Sequence, residues 1–108
     1  MMSDLFGKML WHMLGGAMQV EAKDVIFREV TEVTVDGRRA LRLQGLVFHS
    51  SLAVDNVSID RHHGTAHVYV TLVPTGRGRS GNFQVDVPLD GVSKVLFGPA
   101  AAQLWPSP

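Results

Sequence analysis

The chain of 108 residues contains no cysteine, and this absence excludes several kinds of site at once. Disulfides, thiolate metal centres, iron–sulfur clusters and cysteine nucleophiles all need a side chain that the sequence does not have. Stability must therefore come from packing and hydrogen bonds. The redox compartment stays open, because a chain without thiols suits the cytosol and the periplasm equally.

The chain also has no excess of charge of either sign, since ten Lys and Arg balance ten Asp and Glu. A protein that binds nucleic acid mainly through phosphates needs a clear basic excess, so we expect no nucleic-acid partner. Only 19% of the residues are charged and 45% are hydrophobic, which is typical of a folded globular chain. At this length we expect a single core.

No apolar run approaches the roughly 20 residues that a membrane-spanning helix requires. The start of the chain is also a poor secretion signal, because the apolar stretch from Met9 to Met18 is interrupted by His12 and by Gly15–Gly16. We therefore expect a cytoplasmic protein without a membrane span, and the periplasm is the open alternative.

Residues 1–18 carry a pattern that predicts an N-terminal amphipathic helix, here termed the leader. Its apolar residues recur at the three- and four-residue spacing of one helical face, and they are Leu5, Phe6, Met9, Leu10, Met13, Leu14 and Ala17. A helix of about 12 residues is marginal in water, so its apolar face should cover this chain, a second copy or another partner. Alternatively, the leader is upstream sequence that the fold does not need.

Residues 19–108 are predicted to form a single all-β domain, because alternation and β-branched residues replace the helical period. We expect six or seven short strands with polar turns, such as the hairpin turn at Asp36–Gly37. Slips in the apolar phase at residues 27–30 and 55–56 predict β-bulges. Without long helices between the strands, the pattern favours an antiparallel β-sandwich or a small barrel.

Two further local features can be predicted from the sequence. Gly45 is expected to bend its strand, after which Leu46 and Phe48 take over the inward apolar phase. Residues 100–104 are expected to form a short helical turn near the end of the chain.

The five histidines suggest a metal site, and the densest group is His62, His63 and His67. Imidazole nitrogens bind zinc, copper or nickel when two or three of them converge. A turn histidine could approach His67 on the outgoing strand, and His49 could join from a neighbouring strand. No carboxylate lies inside this run, and turn histidines are commonly just solvated. We therefore expect no cofactor and keep metal or small-ligand binding as the alternative function.

Residues 77–82 are predicted to form a loop that contains Arg77 and Arg79. Guanidinium groups in a flexible loop could bind an anion, but the lysine and the glycine spacing of a phosphate-binding loop are missing. The ordinary interpretation is a solvated loop whose arginines discourage aggregation at a sheet edge. If the chain binds a protein, these two arginines are reasonable contributors, because loops on a rigid sheet often carry recognition.

The sequence does not favour an enzyme. Ser50, a base at His49 and acids at Asp55 and Asp60 are present, but His49 and Ser50 would project to opposite faces of a strand. No Gly-x-Ser-x-Gly motif occurs, and a chain this short has little room for a pocket that excludes water.

Three stretches of the chain resemble known proteins. They are Ser50–Val57, Ser80–Pro88 with its Ser-Gly-x-Phe strand, and Val95–Gly98 followed by Leu104–Trp105. Over residues 40–105 the chain resembles small uncharacterised bacterial proteins that look like compact β-sandwiches. The resemblance implies a fold and no activity.

Together these features predict a non-enzymatic protein-interaction module that binds a protein partner or a second copy of itself. The expected partner-binding residues are Leu5, Phe6, Met9, Leu10, Met13, Leu14, Arg77 and Arg79. Methionine side chains adapt to irregular surfaces, which suits such a contact.

Overall fold

A computed structural model describes residues 18–48, 52–74 and 81–107. Within these ranges the elements are β1 (Met18–Gln19), a 3₁₀ turn (Ala22–Asp24), β2 (Val25–Val35), β3 (Arg38–Val47), β4 (Leu52–His62), β5 (Thr65–Pro74), β6 (Asn82–Pro88), β7 (Lys94–Phe97) and β8 (Ala102–Trp105). The prediction of a mainly β chain is confirmed. The predicted leader helix lies outside the described residues, except that Met18 belongs to β1. No helix in the described part has the length and apolar character needed to cross a membrane.

The strands form two sheets. One has three antiparallel strands in the order β2-β3-β6, and the other contains β1, β4, β5, β7 and β8. In the five-stranded sheet, β4 pairs with β5 along the whole length of β5. The opposite edge of β5 is therefore shared by β7, which pairs near the start of β5, and β1, which pairs near its end.

The prediction of a purely antiparallel arrangement is wrong at one strand pair. β5 and β7 run parallel, with Thr65 opposite Lys94 and Val68 opposite Phe97. After β5 the chain forms β6 in the three-stranded sheet before it returns as β7, so the connection is a crossover rather than a hairpin. Alternation along a strand cannot reveal this, because it is the same beside a parallel or an antiparallel neighbour.

One hydrophobic core joins the two sheets. Its buried residues are Val20, Val25, Leu41, Leu43, Val47, Ala66, Val68, Val70, Leu72, Phe83, Val87, Leu89, Val95 and Phe97, and they include the inward face predicted for β5. Aromatic rings from both sheets meet inside it. The ring centroid of Phe97 lies 5.2 Å from that of Phe27 and 6.1 Å from that of Phe83. Such ring pairs add stability beyond the apolar area that they bury.

Both predicted phase slips are confirmed as irregularities of register. One lies between Phe27 and Glu29 in the β2–β3 pair, and the other between Val54 and Asn56 in the β4–β5 pair. An extra residue in one strand lets the apolar face resume in the opposite phase. The predicted hairpin turn at Asp36–Gly37 is also confirmed, since both residues have positive φ, 51° and 77°.

The predicted change of phase at Gly45 is wrong. β3 keeps its alternation, so that Gly45 and Val47 are buried while Phe48 is exposed. The reason is the ring of Phe83 on the neighbouring strand β6. A Cβ at Gly45 would lie 2.7 Å from two atoms of that ring and 2.8 Å from Cγ1 of Val25. Gly45 therefore faces the core, and the ring of Phe83 occupies the space that a side chain at Gly45 would need.

The predicted helical turn at residues 100–104 is wrong as well. The chain turns at residues 98–101 and continues as β8, which pairs antiparallel with β7. Ala101 has a φ of 57°, which lies in the left-handed region and not in the range of a right-handed helix. On β8, the indole Nε1 of Trp105 donates a hydrogen bond of 3.2 Å to Glu32 on β2, linking the edges of the two sheets.

Gly45→Ala is expected to lower the free energy of unfolding by about 1–3 kcal/mol, the usual cost of overpacking a filled core. The added methyl group would overlap the ring of Phe83. Urea denaturation followed by tryptophan fluorescence measures this free energy. The control is Thr31→Ala at an exposed position of β2, which should change the free energy of unfolding by less than about 0.5 kcal/mol. Phe83→Leu should lower the free energy of unfolding by less in the Gly45→Ala variant than in the wild-type protein, because the smaller side chain makes room for the added methyl group. Strict additivity of the two changes would contradict this explanation.

Candidate interaction surface

Residues 1–17, 49–51 and 75–80, which the structure does not describe, all join the described chain at one end of the molecule, here termed the leader end. The bordering residues are Met18, Phe48, Leu52, Pro74 and Gly81. Met18 pairs with Leu72 and Leu52 with Pro74, so β1, β4 and β5 meet there. The three-stranded sheet ends close by, because only residues 49–51 separate Phe48, which follows β3, from Leu52 at the start of β4. At that end the backbone N–H of Val47 donates to the carbonyl of Gly81.

An apolar patch lies at the leader end on the outer face of the three-stranded sheet. It consists of Ile26, Leu46 and Phe48. Ile26 and Leu46 are directly opposite each other in the β2–β3 pair, and Phe48 follows Leu46 at the two-residue spacing of one strand face. Ile26 is 51% exposed and Phe48 is 76% exposed, more than any other large apolar side chain in the described part of the chain.

The patch is a consequence of the inward packing at Gly45. Because Gly45 and Val47 keep the inward phase, the residues that alternate with them must point outward. Sequence reasoning missed the patch because it assigned Leu46 and Phe48 to the core. A signal was present, however, in the apolar run of residues 46–48 and the matching run of residues 25–27. Three consecutive apolar residues in a strand place apolar side chains on both faces, and only one face of this sheet meets the core.

Paired polar side chains continue the outer face away from the patch. Gln44 donates a hydrogen bond to the side chain of Gln84, its neighbour across the strands. Arg42 binds Asp86 through two parallel hydrogen bonds, 2.9 Å from Nε to Oδ1 and 3.0 Å from Nη2 to Oδ2. Hydrogen bonds from Arg42 lower the pKa of Asp86, and those same hydrogen bonds raise the pKa of Arg42.

A shallow, open depression borders the patch on this face. Its lining consists of Arg28, Gln44, Gly45, Asn82, Phe83 and Gln84. The lining therefore places amide and guanidinium groups beside the apolar side chains, since Asn82 lies directly opposite Leu46 in the β3–β6 pair. An apolar centre with a polar border is the usual composition of a protein–protein contact surface.

The histidines that the sequence singles out have different surroundings. His62 and His63 are exposed at the β4–β5 hairpin, with ring centroids 4.0 Å apart. His67 is half-buried on the outer face of the five-stranded sheet, and its ring stacks on Tyr69 with a centroid distance of 4.2 Å. Among the residues that the structure describes, no three His, Cys, Asp or Glu side chains are placed to hold a metal ion. Metal binding by His62, His63 and His67 stays a prediction that this geometry does not favour.

Both ring nitrogens of His67 have hydrogen-bond partners. Nε2 lies 2.6 Å from the carbonyl oxygen of Gly98, and Nδ1 lies 3.1 Å from the hydroxyl of Tyr69. A carbonyl only accepts, so Nε2 carries the proton, and in the neutral ring Nδ1 accepts from Tyr69. His67 therefore fixes the turn after β7 against β5, which is a structural role.

The other predicted site residues lie outside the described part of the chain. They are Leu5, Phe6, Met9, Leu10, Met13, Leu14, Arg77 and Arg79. The leader is nevertheless joined to the domain at Met18, and the loop that contains the arginines is joined at Pro74 and Gly81. Both segments therefore connect at the leader end, where the apolar patch lies.

Comparison with known proteins adds no relative. No protein-family model matches the chain, and neither a curated protein nor a solved structure matches it. The resemblance to small bacterial β-sandwich proteins therefore stays an expectation. The case for a function depends on the surface itself.

His67→Phe is expected to lower the free energy of unfolding by about 1–3 kcal/mol, because the Gly98 carbonyl loses its donor and the Tyr69 hydroxyl loses its acceptor. The aromatic ring itself is retained, so the loss reports on the hydrogen bonds. Chemical denaturation measures the effect, with His62→Phe at an exposed position as the matched control. Equal stability of His67→Phe and wild type would show that the hydrogen bonds contribute nothing.

Asp86→Asn is expected to reduce stability slightly at neutral pH and not in strong acid. Folding lowers the pKa of Asp86, so the contribution of its pairing with Arg42 is complete above the ordinary pKa of aspartate. This contribution to stability is lost as the pH falls through the lowered pKa of Asp86. The effect should be small because both side chains are partly exposed. Urea midpoints of wild type and variant should converge in acid, and a gap that widens there would contradict the assignment.

Proposed function

We propose that this protein is a non-enzymatic interaction module that associates with a second copy of itself through the leader end of its three-stranded sheet. The apolar patch is the observation that carries the proposal. Phe48 is 76% exposed and Ile26 is 51% exposed, and they lie on a sheet face whose other residues are largely polar. Burial of such a side chain is worth about 1.5–3 kcal/mol, so covering the patch is favourable.

The proposal includes a finer description of the fold, in which the two sheets pack face to face as a sandwich and the leader forms an amphipathic helix. Support for the sandwich comes from the shared core and from the contacts of Phe97 with Phe27 and Phe83 of the other sheet. Support for the helix comes from the three- and four-residue spacing of apolar residues in the leader.

The border of the patch suits a contact that forms without breaking existing interactions. Arg42 and Asp86 already satisfy each other, as do Gln44 and Gln84. Docking beside them leaves these hydrogen bonds in place, so little desolvation cost opposes the gain from the apolar centre. The most exposed apolar side chains and the satisfied polar pairs therefore occupy adjacent parts of one face.

A second copy is the partner that the chain's overall properties suit. Ten basic and ten acidic residues give a formal net charge of zero, so identical copies experience little long-range repulsion. Two-fold symmetric dimers are the commonest protein assemblies, and they use the same surface twice. A different protein partner is the other outcome that the experiment below distinguishes.

Phe48→Asp is expected to weaken dimerisation at least about tenfold, because a charge would replace the most exposed apolar side chain of the patch. Size-exclusion chromatography with light scattering over a concentration series measures the effect. The matched control is Val35→Asp, which changes an exposed apolar residue of β2 at the opposite end of the sheet. Circular dichroism verifies that both variants fold.

Two results would contradict the proposal. A wild-type protein that is monomeric at every concentration would exclude self-association and would leave a different partner as the occupant of the patch. A dimer that tolerates Phe48→Asp as well as Val35→Asp would show that the contact lies elsewhere.

A further inference from the structure

We propose that the free edge of β2 binds an extended, basic segment of another protein, which adds to the three-stranded sheet as a further strand. The site is the part of β2 formed by residues 29–35, here termed the edge segment. A bulge between Phe27 and Glu29 separates it from Ile26 of the apolar patch. Strand addition therefore goes beyond the proposed self-association and does not depend on it.

β2 has one paired edge and one free edge. It is the outermost strand in the order β2-β3-β6, and its paired edge faces β3. Among the residues that the structure describes, none forms a strand pair with the other edge. An outermost strand presents a row of backbone N–H and C=O groups on its free side, and an extended peptide binds by pairing with these groups.

The edge segment has the regular geometry that strand addition requires. It begins after the bulge and keeps one register with β3, from Glu29 opposite Gln44 to Val35 opposite Arg38. Five of its seven residues are valine or threonine, whose β-branched side chains favour strands. Natural sheets protect exposed edges with proline, lysine or a bulge, and residues 29–35 contain none of these.

The exposure of Val30 shows that the free edge is uncovered. Val30 lies directly opposite Leu43 on the same face of the sheet, yet Leu43 is fully buried and Val30 is 39% exposed. β3 has a neighbouring strand on each side, whereas β2 has one on a single side. A strand added beside β2 would cover Val30, and removal of this apolar surface from water is favourable.

Charge determines which kind of strand the edge segment accepts. Its only charged residues are Glu29 and Glu32. Glu32 accepts hydrogen bonds from Arg39 and Trp105, whereas Glu29 is partly exposed on the outer face. Opposite charges on neighbouring strands stabilise pairing and like charges oppose it. Two copies of the edge segment would bring carboxylates together, so the structure favours a different protein with lysine or arginine in its strand.

The probe is a fluorescein-labelled peptide of sequence Lys-Val-Lys-Val-Thr-Val-Lys-Val with an amidated end, and fluorescence anisotropy with the full-length protein measures its Kd. An acidic peptide with glutamate in place of lysine should bind at least about tenfold more weakly. The basic peptide with proline at its two central positions lacks N–H groups on both edges and should not bind. Hydrogen exchange at residues 29–35 should slow when the basic peptide binds.

Three variants of the full chain locate the site. Thr31→Lys places a positive charge at an exposed position of the edge segment and should weaken binding of the basic peptide at least about tenfold. Ser58→Lys, at an exposed position of β4 in the other sheet, is the matched control and should bind like wild type. Phe48→Asp alters the patch and should bind at least as tightly as wild type. Circular dichroism verifies that each variant folds.

Several results would overturn strand addition at β2. They are a wild-type protein that does not bind the basic peptide, equal binding of the basic and proline peptides, and a loss of binding in Ser58→Lys that matches the loss in Thr31→Lys. Loss of binding in Phe48→Asp would place the peptide on the patch instead. A dimer that dissociates as the peptide binds would show that a second copy occupies the edge.

The proposed self-association can fail separately. A wild-type protein that is monomeric and binds the basic peptide would contradict self-association and support strand addition. A dimer that depends on Phe48 and does not bind the peptide would give the reverse conclusion.

Discussion

The packing of the Phe83 ring against Gly45 is the contact on which the rest of the structure depends. It leaves no room for a side chain at Gly45, holds β6 beside β3, and places Phe83 near Phe97 of the other sheet. Because the glycine is inward, β3 keeps a single phase from Leu41 to Val47. The outward direction of Leu46 and Phe48 follows from that phase.

The connection of the strands determines how the two sheets are held together. The chain leaves β5, contributes β6 to the three-stranded sheet and returns to the five-stranded sheet as β7, which makes the parallel pair with β5. A side-chain contact also joins the two sheets, because Glu32 on β2 accepts a hydrogen bond from Trp105 on β8. Glu32 accepts another from Arg39 within its own sheet. These hydrogen bonds lower the pKa of Glu32. Local alternation therefore forms the sheets, and contacts between distant segments align them.

A contrast between satisfied polar groups and exposed apolar groups is the basis of the proposed interaction surface. The polar side chains that could bind a ligand already have partners within the fold. Arg42 pairs with Asp86, and His67 has hydrogen-bond partners at both ring nitrogens. Among the residues that the structure describes, none covers the outer side of the patch around Phe48, as the exposure of Phe48 shows. An exposed apolar patch of this kind can be covered by another surface, and the proposed interaction function is based on it.

The sequence by itself determined the features that depend on neighbouring residues. It predicted most strands, the inward face of β5, both bulges and the turn at Asp36–Gly37, because alternation and turn conformations are local properties. Only the tertiary structure decided the parallel β5–β7 pair, the strand at residues 102–105, the partners of His67 and the outward direction of Phe48. Each of these depends on which distant strand or ring lies alongside, and alternation within one segment carries no information about that neighbour.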